Sequence, residues 1–164
     1  MATIGNPGRF AVEFERDARS PPDFPLGRFC YWVGGQRVGD YDHGTSFGTV
    51  IYVSKVVVAS RGRRYMPRLM SIPLATAFEE VRHALCDDQG SDAEVAERRR
   101  VYSRFVSLLS GVDSFDRWLG YAVEDDNRAR FMWQEPAGRI QEVFLKAGEI
   151  EDVLSDFLKQ EAAV

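Results

Sequence analysis

The side chains that could carry chemistry in this sequence are few and widely spaced. His43 and His83 are the two histidines, and no HxH, HExxH or CxxC pattern provides the spacing of metal ligands. Asp42 precedes His43, and a carboxylate beside an imidazole could perform acid–base work. The run 40–44 also suits a turn with local hydrogen bonds before a helix, and we favour that interpretation. His83 falls on the polar side of a predicted helix, where we expect it to be solvated.

Patterns for a nucleophile are equally sparse. There is no GxSxG elbow, and neither Cys30 nor Cys86 stands beside a histidine, although distant segments could bring such a pair together in space. Cys30 lies in an apolar, strand-like run, and we interpret it as a small core residue. The N-terminus has neither the basic nor the apolar part of a signal peptide. We therefore expect reducing, cytoplasmic surroundings and no disulfide between the two cysteines.

The glycine-rich and basic motifs favour structural roles. Gly34, Gly35 and Gly39 lack the lysine and hydroxyl of a phosphate-binding loop, and a hairpin turn with a bulge explains them better. The basic run Arg61–Arg68 could bind phosphate backbones, but positive charge also suits the end of a helix. The net charge of −4 argues mildly against nucleic acid as a partner.

Carboxylates occur in consecutive pairs, which point apart on a helix and do not converge on a substrate or a metal ion. The pairs are Glu79-Glu80, Asp87-Asp88, Asp125-Asp126 and Glu151-Asp152. A solvated surface is the simpler explanation for each of them. The sequence therefore predicts no catalytic, cofactor-binding or metal-binding residues.

Apolar runs predict the elements that make up the scaffold. Alternation and turn glycines indicate strands towards both ends of the chain. The predicted strands are Phe10–Glu15, Leu26–Val33, Gln36–Tyr41, Trp118–Val123, Ala129–Gln134 and Ile140–Leu145, and Val101–Ser110 could be a further one. The first three are expected to form an antiparallel meander over residues 8–41.

Helices are predicted mainly between the two groups of strands. Phe47–Ser60 is rich in valine, which favours a strand, but the helix-start signal at Thr45 and Ser46 and the helical spacing of its apolar residues favour a helix. Leu74–Leu85 and the segment after Gly148 have the apolar stripe of an amphipathic helix. Ser91–Arg100 is either a short helix capped by Ser91 or a mobile loop.

These elements together predict an α+β fold in one domain over residues 1–164. We expect an antiparallel sheet of about six strands with three to four helices packed mainly on one face. No apolar run is long enough for a membrane-spanning helix. The charge is uneven, because residues 1–70 carry ten basic and six acidic side chains whereas residues 71–164 carry eleven and nineteen.

Three stretches give the chain a family resemblance. The first is an opening strand after a Gly-Asn-Pro turn, and the second is a hairpin that leads into a helix. The third comprises the closing strands and helix. They are Ile4–Phe14, Gly27–Phe47, and Phe115–Asp125 with Ala129-Arg130 and Glu142–Glu149. In these residues the chain resembles the immunity protein 42 family of bacterial polymorphic toxin systems.

The resemblance implies a cytoplasmic bacterial protein that binds a cognate toxin and neutralises it, and it supplies no catalytic residues. An acidic surface could occupy the basic cleft of a toxin that acts on nucleic acids. The partner-binding residues predicted on this basis are Asp87, Asp88, Asp92, Glu124, Asp125 and Asp126. Two alternatives remain open, a small non-catalytic regulatory or adaptor module and an enzyme with a dispersed site. The sequence does not indicate an oligomeric state.

Overall fold

The computed structural model describes residues 1–21, 23–106 and 108–162. Of the domain predicted over residues 1–164, Pro22, Ser107, Ala163 and Val164 lie outside the described residues.

An antiparallel sheet near the N-terminus contains five strands, in the order β1-β2-β3-β4 with β5 also paired to β3. The strands are β1 (Ala2–Gly5), β2 (Phe10–Arg16), β3 (Leu26–Val33), β4 (Gln36–Val38) and β5 (Thr45–Ser46). The predicted meander is confirmed in β2, β3 and β4, and Gly34 and Gly35 make its tight turn with φ of +57° and +81°. The edge strand β1 was not predicted, because its four residues are too few to display a pattern.

A second antiparallel sheet contains three strands in the order β6-β7-β8. These are β6 (Leu119–Glu124), β7 (Arg128–Gln134) and β8 (Ile140–Lys146), and all three were predicted. The α+β class is confirmed, but the strands divide into two sheets instead of forming a single sheet of about six. Alternation within a strand specifies which side chains are buried together, but it does not specify which strands are neighbours.

The described residues form five α-helices in addition to the sheets. They are α1 (Phe47–Ala59), α2 (Pro67–Ser71), α3 (Leu74–Cys86), α4 (Asp92–Tyr102) and α5 (Glu149–Ala162). The helical interpretation of residues 47–60 is confirmed, and so is the helix after Ser91, which a capping box between Ser91 and Glu94 stabilises. The suggested strand over residues 101–110 is not observed, so that prediction was wrong. Helix α4 continues to Tyr102, and a 3-10 turn follows at Ser103–Phe105.

Two apolar cores hold these elements together. The first core lies among the five-stranded sheet, one face of the three-stranded sheet, α1 and α5. In it the Phe157 ring of α5 lies 5.1 Å from Phe14 and 5.7 Å from Phe29. The second core packs α2 and α3 against the other face of the three-stranded sheet, where Phe78 lies 4.9 Å from Tyr121. Helices thus cover both faces of the second sheet, and not mainly one face of a single sheet as predicted.

Candidate partner-binding surfaces

Three of the predicted partner-binding carboxylates lie between the end of α3 and the first residue of α4. Asp87 Oδ2 is 3.0 Å from His83 Nδ1, and Asp88 Oδ1 is 2.6 Å from a guanidinium nitrogen of Arg99. Asp92 is the first residue of α4, where a carboxylate is favoured by the helix dipole. All three are accessible to some degree, but Asp88 already has a cationic partner within the chain and Asp87 contacts an imidazole.

The other three lie at the end of β6 and in the turn that follows it, and their surroundings differ. Glu124 is only 5% exposed, so it is not an exposed residue at the hairpin tip as the sequence suggested. Asp125 accepts backbone N–H groups from Asn127 and Arg128 at 2.9 and 2.8 Å, and these bonds lower its pKa. Asp126 is exposed and forms no ion pair with any described residue. Within the described ranges, no hydrogen bond or ion pair connects this turn with the loop at 87–92.

Glu124 is buried because it belongs to a cluster with two other charged residues. Arg64, 1% exposed, places a guanidinium nitrogen 3.4 Å from Glu124 Oε1 and also pairs with Glu151 at the start of α5. Burial lowers the pKa of Arg64, and the charge of Glu124 opposes that shift. The Glu124 N–H donates to the Arg64 carbonyl at 2.8 Å, and the Met66 N–H donates to the Glu124 carbonyl at 2.9 Å. Through these ion pairs and hydrogen bonds, the segment before α2 is connected to both the second sheet and α5.

The basic run Arg61–Arg68 is accordingly not one continuous patch. Arg64 is buried, Arg61 donates to Asp152 Oδ1 at 2.6 Å, and Arg68 pairs with Glu80. Only Arg63 is exposed without an ion pair among the residues described. Since most of its positive charge is neutralised within the protein, the run offers little to a phosphate backbone.

The buried cysteine sits in a polar network on the outer face of the five-stranded sheet. Glu13, 4% exposed, accepts hydrogen bonds from Trp32 Nε1 at 2.7 Å and from Arg37 at 2.9 Å, and the Cys30 thiol lies 3.7 Å from the same oxygen. Burial, reinforced by the negative charge of Glu13, raises the pKa of Cys30 to about 12. The thiol is therefore protonated at neutral pH and is a poor nucleophile. Cys30 is a small buried residue, as predicted, and both cysteines are free.

The described part of the chain holds no group of three or more His, Cys, Asp or Glu side chains arranged to bind a metal ion. His43 is exposed in the loop after β4, and His83 is exposed on α3. No helix within the described ranges is long and apolar enough to cross a membrane.

An apolar groove is the feature that sequence reasoning missed. It lies between α1, the C-terminal end of α3 and the segment after α4, and its volume is about 450 Å³. The residues that line it are Tyr52, Val53, Val56, Leu85, Ser103, Val106 and Ser110. Tyr52 is 68% exposed and Val56 39% exposed, so large apolar side chains face solvent here. We call this feature the α1 groove.

Charged residues stand around the α1 groove. Lys55 lies on the same exposed side of α1 as Tyr52 and Val56, and Arg104 directly follows the groove residue Ser103. At the α3 end, Arg99 donates to the Leu85 carbonyl at 3.0 Å and also pairs with Asp88. One group of the predicted carboxylates is therefore adjacent to the groove.

A sequence signal for the α1 groove does exist. Helix α1 is apolar on nearly all sides, with Val50, Ile51, Tyr52, Val53, Val56, Val57 and Val58 in thirteen residues. A helix at the surface of a small protein normally buries one stripe only. The apolar residues in excess of that stripe must face solvent or another molecule. A second depression of about 510 Å³ beside β3 is different, because arginine and carboxylate side chains such as Arg16, Asp17 and Arg28 line much of it.

Comparisons with known proteins place this architecture in context. The model of a family described as immunity protein 42 matches residues 1–160. A solved structure, that of CdiI from Burkholderia dolosa AUO158, superposes with a TM-score of 0.74 at 20% sequence identity. The match covers 97% of this chain and 99% of that chain, and at this identity it shows a common fold. No curated protein matches the sequence.

Proposed function

The chain belongs to the immunity protein 42 family, and we propose that it neutralises a cognate bacterial toxin by forming a stoichiometric complex with it. The observation that carries the proposal is the family match, which extends over residues 1–160 and so includes both sheets and nearly all of α5. The complex is expected to form in the cytoplasm of the cell that makes the immunity protein.

Neutralisation of this kind needs no chemistry from the immunity protein. A bound protein inhibits by covering the toxin's working surface, which requires an apolar centre and a complementary rim. The buried charges support this interpretation, because Arg64, Glu124 and Glu151 pair with one another and Glu13 is hydrogen-bonded within its own sheet. Each of these groups has a structural partner in the protein.

The exposed carboxylates are the proposed source of fast capture. Asp92 and Asp126 have no ion pair among the described residues, whereas Asp88 and Asp125 pair with neighbouring arginines and Asp87 contacts His83. Unpaired surface charge changes the association rate more than the dissociation rate. We therefore expect Asp92→Lys and Asp126→Lys to slow association with a toxin that presents a basic surface. Association rates equal to those of the wild type at low salt would rule out this role.

The function is tested with the product of the neighbouring gene, whose toxin domain is the candidate partner. Co-expression should restore growth that the toxin domain alone abolishes, and the two proteins should co-purify in a 1:1 ratio. A toxin domain from an unrelated system is the control and should stay lethal. Toxicity should decrease as immunity protein is added and should disappear at one equivalent. Full protection well below one equivalent would indicate turnover by an enzyme, and no protection by folded protein would refute the function.

A further inference from the structure

We propose that the α1 groove is the anchor site of the complex. It receives an apolar side chain of the toxin, and a toxin carboxylate lies beside Lys55 and Arg104. This inference rests on the proposed function and specifies the surface that performs it.

The first observation is the exposure of apolar side chains on α1. Tyr52 and Val56 are four residues apart, and Ala59 continues the same exposed side of the helix one turn later. Tyr52 is 68% exposed, the largest value of any aromatic side chain among the described residues. Tyrosine is enriched at interface hot spots, because its ring buries a large area while its hydroxyl still finds a polar partner.

The second observation is that these side chains surround a concavity. Leu85 and Val106 form the wall opposite α1, so an inserted side chain would contact apolar atoms on both sides. The volume of about 450 Å³ lies within the range of about 300–1,000 Å³ that is usual for ligand-binding clefts. The groove therefore has room for a large apolar side chain and parts of its neighbours.

The third observation is the charge of the surrounding surface. Residues 47–78 contain Lys55 and four arginines and no acidic side chain. Lys55 and Arg104 form no ion pair with any residue the structure describes, whereas the two carboxylates that follow α3 both have partners, Asp87 in His83 and Asp88 in Arg99. The charge left without a partner is positive, so a matching segment carries a carboxylate next to its apolar anchor.

The anchor site is tested by measuring affinity for the toxin domain that the wild-type chain binds. Tyr52→Ala, Val56→Asp and Lys55→Glu are each expected to weaken binding by about tenfold or more, mainly through faster dissociation for the first two. Matched controls are Tyr65→Ala, another aromatic that is 48% exposed, and Arg63→Glu, another exposed cation. Both controls should bind within about twofold of the wild type.

Folding is checked independently, since the substituted side chains are exposed and their loss should leave the thermal midpoint within about 2 °C. Wild-type affinity in all three groove variants would overturn the anchor site and leave the proposed function standing. Failure of the wild-type chain to bind the toxin would refute both the anchor site and the proposed function. A wild-type dimer that the same variants convert to a monomer with unchanged toxin binding would assign the groove to a second copy and also overturn the proposal.

Discussion

Replacing Arg64 by methionine tests the most consequential buried contact in the fold. Arg64 is the one cation in its cluster, and it compensates the charges of Glu124 and Glu151, which are 5% and 0% exposed. Methionine fills a similar volume without charge. The variant therefore leaves two buried carboxylates without a cationic partner in a site that is almost inaccessible to water.

The size of the effect follows from that geometry. Breaking a buried ion pair by removal of one partner costs about 3–5 kcal/mol, because the remaining charge is left desolvated. For a chain of this length each kcal/mol lowers the melting temperature by about 2–4 °C, so we expect a decrease of about 6–20 °C. Arg61→Met is the matched control. Its ion pair with Asp152 joins side chains that are 52% and 66% exposed, and exposed pairs contribute at most about 1 kcal/mol.

The pH dependence of the stability deficit distinguishes the effect of an unpaired buried charge from the effect of lost packing. Burial without a cation favours the protonated, uncharged form of a carboxyl group. The stability deficit of Arg64→Met should therefore be largest near pH 8 and decline as the pH falls towards 5, because the folded variant takes up protons that the unfolded chain does not. Urea denaturation at both pH values measures it. A deficit below about 1 kcal/mol, or one that is equal at the two pH values, would refute this account of the cluster.

Three further predictions concern single contacts. Gly27→Ala should destabilise the protein by about 1–3 kcal/mol, because the added methyl group would meet a backbone oxygen of β2 and a core ring, whereas Gly44→Ala meets nothing within 4 Å and should be neutral in urea denaturation. A hydrogen bond from Arg9 lowers the pKa of Glu149, so this pair stabilises the fold at neutral pH and ceases to do so as the pH falls below about 4. Glu149→Gln should therefore melt below the wild type at pH 7, and the gap should narrow as the pH falls towards 3; a gap as large at pH 3 as at pH 7 would contradict this linkage. Ser91→Ala removes one side of the capping box and should cost about 1 kcal/mol, seen as faster amide hydrogen exchange at the start of α4; unchanged exchange there would show that the cap is dispensable.

Local patterns were sufficient to predict most elements. The strands β6, β7 and β8 each have turn residues at their ends, and α5 has a complete apolar stripe from Ile150 to Leu158, so neighbours in sequence specified them. Helix α1 was harder, since its valines favour a strand. Its first turn follows directly from β5, and the apolar residues on its inner side, Val50 and Val57, are seven apart, as two helical turns require.

Contacts between distant segments were beyond such reasoning. The burial of Glu124 depends on Arg64, sixty positions earlier, and on Glu151. The local sequence of an acidic turn is the same whether or not a distant cation pairs with it, so the sequence could not predict this burial. The division into two sheets is of the same kind, because pairing order is a property of the whole chain. The error over residues 101–110 arose because an apolar run of that length fits a strand or a helix end equally well.

The composition of α1 connects the fold to the proposed function. Positions 52 and 56 of α1 are exposed, so a helix that only covered the first core could carry lysine or glutamate there. Such charged side chains would also increase the solubility of the protein. Val56 and Tyr52 instead leave apolar area in water beside a concavity, and no described contact within the chain uses that area. Exposed apolar patches of this kind mark interaction sites in soluble proteins. In the proposed complex, the cations without an ion pair beside this patch favour a partner segment that combines an apolar side chain with a carboxylate. Val56 is thus one of the valines that made α1 ambiguous in sequence and also part of the proposed binding surface.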